Sequence, residues 1–251
     1  MSDSPWRAAE PTPPSVAARA AAGPRPSAEP GHITVFRFDP EADSLPYRQT
    51  FDFPFEPGMS ALDVALYVQH HLDGTFTFSY CCRNSHCGLC GVLVNGRPGL
   101  LCREPATPEM TLEPLGCLPV LRDLTLDRAP YEERLLALRL FMDRTRPPAE
   151  EPEHVFPPDQ ERFKLASRCV ECYLCLAACP AFAENPHEFL GPAGFAQLGR
   201  HAFDPRDELD RRLLAASAGA RLCTGCGACD EVCPHSVEPR GIIARLLEGP
   251  G

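Results

Sequence analysis

Two short runs, "CVECYLCLAACP" at 169–180 and "CTGCGACDEVCP" at 223–234, hold eight of the chain's 14 cysteines in one repeated spacing, C-x2-C-x2-C-x3-C-P. Any fold the chain adopts has to give those thiols partners. Disulfides need an export signal, and "MSDSPWRAAEPTPPSVAARAAAGPRPSAEP" offers no continuous apolar stretch of the ~7–15 residues such a signal carries. Cysteines two or three residues apart rarely bridge each other but converge naturally on one metal centre. The clustering therefore points to metal ligation in a reducing, cytosolic compartment. With 251 residues the chain can bury a real core, so the cysteines are not needed as staples.

The spacing is that of the bacterial-ferredoxin run, in which the fourth cysteine of each run ligates the other cluster. Three thiolates in one tight loop fit three corners of a cubane, and the fourth corner comes from a different segment. The expected sets are crossed: Cys169, Cys172, Cys175 and Cys233 on one [4Fe–4S] cluster, Cys179, Cys223, Cys226 and Cys229 on the other. Pro180 and Pro234 fix φ and aim the chain away from the cluster.

A further group, "CCRNSHCGLCGVLVNGRPGLLC", gives C-x4-C-x2-C through Cys82, Cys87 and Cys90, the spacing of a plant-type [2Fe–2S] loop. The hairpin signal Asn95–Gly96 turns the chain so that Cys102 returns as the fourth ligand. Gly88 and Gly91 are expected to let backbone amides approach the sulfides. Only Cys82 keeps the four-residue gap, so Cys81 is a bystander, and Cys117 is a second free thiol. His86 is a local hydrogen bonder or a plain loop residue. Zinc is the alternative at each cluster.

Residues 1–31, rich in Pro, Ala and Ser, form an expected disordered tail. "HITVFRFDP" and "YRQTFDFPFEP" alternate as an antiparallel strand pair, and "SALDVALYVQHHL" is a helix capped by Ser60. His70 and His71, adjacent on that helix, point apart and read as surface residues. Two strands around Asn95–Gly96 and a further one at "MTLEPL" complete a compact α+β unit, residues 32–128. "APYEERLLALRLFMDRTR" reads as a long amphipathic helix, which with the Pro-rich linker "RPPAEEPEHVFPP" spans 129–158. Residues 159–251 are mainly helical.

The balance of 24 basic and 34 acidic residues, net −10, lacks the basic footprint of a nucleic-acid binder. No run of ~18 apolar residues spans a membrane. No Gly-rich dinucleotide fingerprint is present, and "GPAG" at 191 reads as a turn into a helix. The chain offers no hydrolytic or hydride chemistry of its own; it reads as the wire of an oxidoreductase.

A [2Fe–2S] domain followed by a helical two-cluster domain resembles the iron–sulfur subunit of succinate dehydrogenase and fumarate reductase. The likeness covers about residues 33–247 and includes "PLGCLPVLRDLTLD", "NPHEFLGPAGFAQLGRHAFDPRDE" and "CPHSVEPRGIIARLL". It implies a β-grasp ferredoxin domain, then an α-helical ferredoxin domain. It also implies electrons passing from FAD in a partner flavoprotein subunit to a quinone near the last cluster. The quinone would sit at a membrane-anchor subunit, heme-bearing or otherwise, on the inner face of the cell membrane.

Typical members carry an aliphatic residue where this chain has Cys226 and hold a [3Fe–4S] cluster with three ligands. Cys179, Cys223 and Cys229 match those three, so Cys226 implies a second [4Fe–4S] cluster, or [3Fe–4S] if it does not ligate. Quinone-linked members usually place two tryptophans where Ala183 and Glu184 stand and a histidine where Thr224 stands. Ser85 replaces a common glycine, a change that a negative φ would accommodate. The same fold also serves other flavoproteins, such as 2-hydroxyacid dehydrogenase or heterodisulfide-reductase-like partners; a zinc-bound interaction module is the reading from a different class.

Overall fold

Apolar residues at every second position of the first strand require a sheet with one buried face. The computed structural model describes residues 29–145 and 153–248. Most of the expected tail and the first part of the linker lie outside the described residues. Residues 29–31 do not belong to a tail: they open β1 (Glu29–Arg37). β1 pairs antiparallel with β2 (Tyr47–Phe55), as expected, with Ile33 opposite Phe51.

The sheet is completed by β3 (Gly91–Val94), β4 (Arg97–Leu100) and β5 (Glu109–Glu113), in the order β2-β1-β5-β3-β4. β1 and β5 run parallel and the other neighbours antiparallel. Ile33 and Val35 are fully buried, along with Ala61, Leu62, Val64, Ala65 and Leu66 of α1 (Ala61–Tyr67). Ser60 caps α1 by accepting the Asp63 N–H, while the Asp63 carboxylate accepts the Ser60 N–H at 2.9 Å. Beyond Tyr67 the helix loosens into a π turn, Val68–Leu72, which leaves His70 and His71 exposed as expected. Asn95 and Gly96 both take positive φ, 50° and 77°, the form a two-residue hairpin requires.

One buried cation locks this half. Arg37 is 6 % exposed; its Nε donates to Asp123 at 3.0 Å, and its terminal nitrogens donate to Gln49, Asp73 and Thr75. Asp123 lies between two short strands, β6 (Val120–Arg122) and β7 (Thr125–Leu126), and also accepts the N–H groups of Phe38 and Thr77. Four separate segments thus meet on one guanidinium–carboxylate pair.

The expected long helix from residue 129 is cut short: α2 is Ala129–Leu136. Arg211, 2 % exposed and paired with Asp207 at 2.7 Å, donates to the carbonyls of Leu138, Arg139 and Phe141. Those carbonyls would otherwise extend the helix, and Arg139 turns to φ 50° instead. α2 faces the helical half, where the Tyr131 hydroxyl donates to the Leu190 carbonyl at 2.9 Å and Arg134 donates to those of Pro186, His187 and Phe189.

The rest is short helices: α3 (Pro157–Ser167), α4 (Leu174–Ala177), α5 (Pro180–Glu184), α6 (Gly191–Ala202), α7 (Arg211–Ser217), α8 (Ala228–Glu231) and α9 (Pro239–Glu248). α6 is buried from Gly191 to Gly199 and packs against α3, α4, α7 and α9, so "GPAG" does open a helix.

Replacing Arg37 with Met leaves Asp123 buried without its cation. The expected cost is about 3–5 kcal/mol in a urea melt of the loaded protein. A second check is by pH. Hydrogen bonds from Thr75, and then Arg37, pull Asp73 from 3.8 to about 2. Its share of stability is complete above the unfolded value and is lost as the pH falls through about 2. Stability measured against pH should therefore fall less steeply over this acid range in Asp73→Asn.

Candidate iron–sulfur sites

A thiolate is stabilised by N–H groups aimed at its sulfur. In the first site Cys82 Sγ accepts from the backbone of Asn84 at 3.4 Å, and from His86 and Cys87 at 3.2 Å each. These bonds, that of Asn84 foremost, bring the Cys82 thiol down to about 7. Ser85 N–H donates to Cys102 Sγ at 3.2 Å. The hairpin returns Cys102 as expected, and its sulfur lies 3.5 Å from that of Cys90. Burial pushes the Cys90 thiol up to about 12, with Cys102 and Cys87 beside it. Cys81 is exposed.

Ser85 departs from the expectation of a negative φ. It stands at +52°, and Arg83 at +58°. The strain is held in place because the Ser85 N–H binds Cys102 while its carbonyl accepts Nε2–H of His235 at 2.7 Å.

In the helical half the two runs adopt matching backbones. Glu171 and Tyr173 have φ 55° and 61°; at the equivalent places Gly225 and Gly227 have φ 70° and 86°. Glycine makes that shape easy in the second run. In the first, Arg128 supports it by donating to the Glu171 carbonyl at 3.2 Å and lying 4.4 Å from the Tyr173 ring centroid.

Cys169, Cys172, Cys175 and Cys233 line one pocket whose other wall includes Ala193 and Ala196 of α6. Such small side chains leave space beside the sulfurs. Burial first, and then the nearness of Cys169 and Cys233, pushes Cys172 up to about 12, and burial drives the Cys175 thiol well above its usual range. Gln197 donates to Cys169 Sγ at 3.5 Å, and Val237 N–H to Cys233 Sγ at 3.3 Å.

Around the third site, Cys179 is raised by burial and feels Cys226 and Cys223; Cys229, pushed up to about 12 by burial, feels Asp230, Cys179 and Cys223. Cys226 is exposed, and Cys175 also feels Cys229, so the second and third sites adjoin. Among the described residues no three Cys, His, Asp or Glu side chains close tightly enough to grip a single metal ion. Sulfur donors around a pocket walled by alanines fit a bulkier group.

Two expectations change in detail. Pro180 starts α5, with Cys179 as its N-cap, and so continues the chain into a helix. Gly88 and Gly91 serve mainly the neighbouring run. A Cβ at residue 88 would lie 2.2 Å from the Val170 carbonyl oxygen, and one at residue 91 would lie 2.8 Å from that of Cys172. Arg128, Gln197, His235 and Arg103, which donates to the Pro234 carbonyl, carry no signal in their local sequence; the glycines at 225 and 227 did mark the backbone shape that Glu171 and Tyr173 share.

Residues 32–133 match the family described as a 2Fe-2S iron-sulfur cluster binding domain, and residues 165–237 match the 4Fe-4S dicluster domain. The fumarate reductase iron-sulfur subunit of Mycobacterium tuberculosis is 38 % identical over 85 % of this chain and 90 % of its own length. The chain belongs to the succinate dehydrogenase/fumarate reductase iron–sulfur subunit family.

The Mycobacterium smegmatis Sdh1 complex in the apo form contains a chain with a TM-score of 0.78 and 25 % identity, covering 88 % of this chain and 95 % of that one. One subunit of the fumarate reductase (CoM/CoB) of Methanothermobacter marburgensis is 32 % identical over 86 % of this chain, which spans 43 % of that longer protein. The fold is thus the expected pair, a [2Fe–2S] ferredoxin domain followed by a helical dicluster domain. No helix among the described residues is long and apolar enough to cross a membrane.

Gly88→Ala combines a left-handed φ of +71° with the clash on Val170. It should destabilise the loaded protein by about 2–4 kcal/mol, read as a lower denaturant midpoint.

Proposed function

We propose that this chain is the electron-transfer subunit of a succinate dehydrogenase or fumarate reductase complex, joining FAD in a flavoprotein subunit to a quinone at a membrane anchor. The observation that carries this is the serial contact of the sites. The Cys82–Cys102 loop abuts the Cys169–Cys172 segment, and Cys175 in turn neighbours Cys229. When bound, each cluster supplies one-electron redox chemistry. The chain's own part is to hold the sulfurs, aim amides at them and restrict water.

The proposed ligands are Cys82, Cys87, Cys90 and Cys102 for [2Fe–2S], and Cys169, Cys172, Cys175 and Cys233 for the first [4Fe–4S]. Cys179, Cys223, Cys226 and Cys229 hold the second. The proximity of Cys233 to the first run and of Cys179 to the second supports this crossing. The domain limits proposed are 32–128 and 159–251, joined by 129–158.

The exposed end of the third site, at Thr224, Gly225 and Cys226, is where an acceptor would dock. In this reading the chain lies on the inner face of the cell membrane through its anchor. A second reading has the chain serve another flavoprotein and acceptor. The CoM/CoB fumarate reductase relative, together with Ala183, Glu184 and Thr224 at the acceptor end, favours it.

Gentle isolation of the tagged chain from its own cells separates the two. Co-purifying FAD protein and membrane anchor, with succinate or fumarate turnover, upholds the first reading; a different flavoprotein without an anchor overturns it. Cys226→Val tests the fourth ligand: iron should fall from about ten to about nine atoms per chain. The oxidised variant, prepared anaerobically, should show a [3Fe–4S] EPR signal that the native protein lacks.

A further inference from the structure

The peptide group between Ser85 and His86 is hydrogen-bonded at both ends. Its N–H, on His86, donates to Cys82 Sγ at 3.2 Å. Its carbonyl, on Ser85, lies 2.7 Å from Nε2 of His235. A carbonyl only accepts, so Nε2 bears the proton. The imidazole rings of His86 and His235 lie near parallel with centroids 6.4 Å apart. His235 comes from the helical half, two residues after Cys233, and Arg103, next to Cys102, binds the carbonyl of the intervening Pro234 at 2.7 Å.

Hydrogen bonds in a chain polarise one another: an N–H···O=C bond makes the amide N–H on the far side of the same peptide a stronger donor. Donors to a ligating sulfur stabilise the extra negative charge of the reduced state and so raise its reduction potential. We propose that His235 is a positioning residue that tunes the first site from the second domain, through the Ser85–His86 peptide to Cys82 Sγ. The reduction potential of the Cys82–Cys102 site then depends on the helical half being docked. The same contact joins that site to the segment bearing Cys233, so docking and tuning occur together.

This rests on the iron–sulfur reading above. The test is an EPR-monitored redox titration of the anaerobically purified complex carrying native His235, His235→Gln, His235→Asn or His235→Phe. Gln places an N–H donor where Nε2 stands; Asn is too short to reach the Ser85 carbonyl, and Phe has no donor.

Asn and Phe should lower the [2Fe–2S] potential, shifting its one-electron equilibrium at least threefold (~28 mV at 59 mV per tenfold). Gln should restore most of the shift. If Phe fails to load, the Asn and Gln pair decides. Potentials that agree within experimental error across the set, or a Gln variant shifted as far as Asn, would overturn the tuning while leaving the iron–sulfur reading intact. Native protein without a [2Fe–2S] signal and without acid-labile sulfide would overturn both.

Discussion

Two backbone carbonyls, those of Val170 and Cys172, occupy the space where side chains at residues 88 and 91 would begin. Electron transfer weakens steeply with distance, so a wire needs its successive stations close together. This chain achieves that by backbone-to-backbone contact between a loop of the sheet domain and a loop of the helical domain. The rest of the interface builds on that approach. Arg103 and His235 bridge it on one side, β4 packs against α4, and α2 carries the chain across and anchors on Leu190 and Phe189.

The thiols reveal a second constraint. Burial first, and neighbouring thiols second, push Cys90, Cys172 and Cys229 to about 12 and Cys175 well above its usual range, so a thiolate at these positions needs a positively charged metal group beside it. Burial that shields a cluster thus also makes its thiols depend on the metal group for their charge. Cys82 is the exception, held near 7 by amides from its own loop. In the first site the local backbone amides act on Cys82, while Cys90 of the same site is governed by burial. Cys226, which lies between two glycines of positive φ, is the most exposed of the proposed ligands.

Much of the fold could be read from residue patterns because the signals were local. Alternation marked β1 and β2, Ser60 marked the start of α1, and Asn95–Gly96 marked the hairpin that returns Cys102. The misreadings came where a distant group intervened. The helix expected from residue 129 ends at Leu136 because Arg211, some seventy residues later, takes its next carbonyls. Ser85 tolerates a left-handed φ because Cys102 and His235 hold both faces of its backbone. Gly88 and Gly91 could be seen to permit a close approach, but not which segment approaches.

The sequence by itself determined the chemistry of this protein: which sulfurs come in groups, in what spacing, and hence which clusters and which family. Spacing along a chain carries that information because cysteines two to four residues apart lie within a single loop, where covalent connectivity sets their separation. The tertiary structure alone decided how the sites meet. The contact of Gly88 with Val170, the supports from Arg128 and Gln197, and the His235 link to the first site join residues tens of positions apart or more. Their adjacency is set by the packing of the helical half against the sheet, and no local pattern of residue types encodes it.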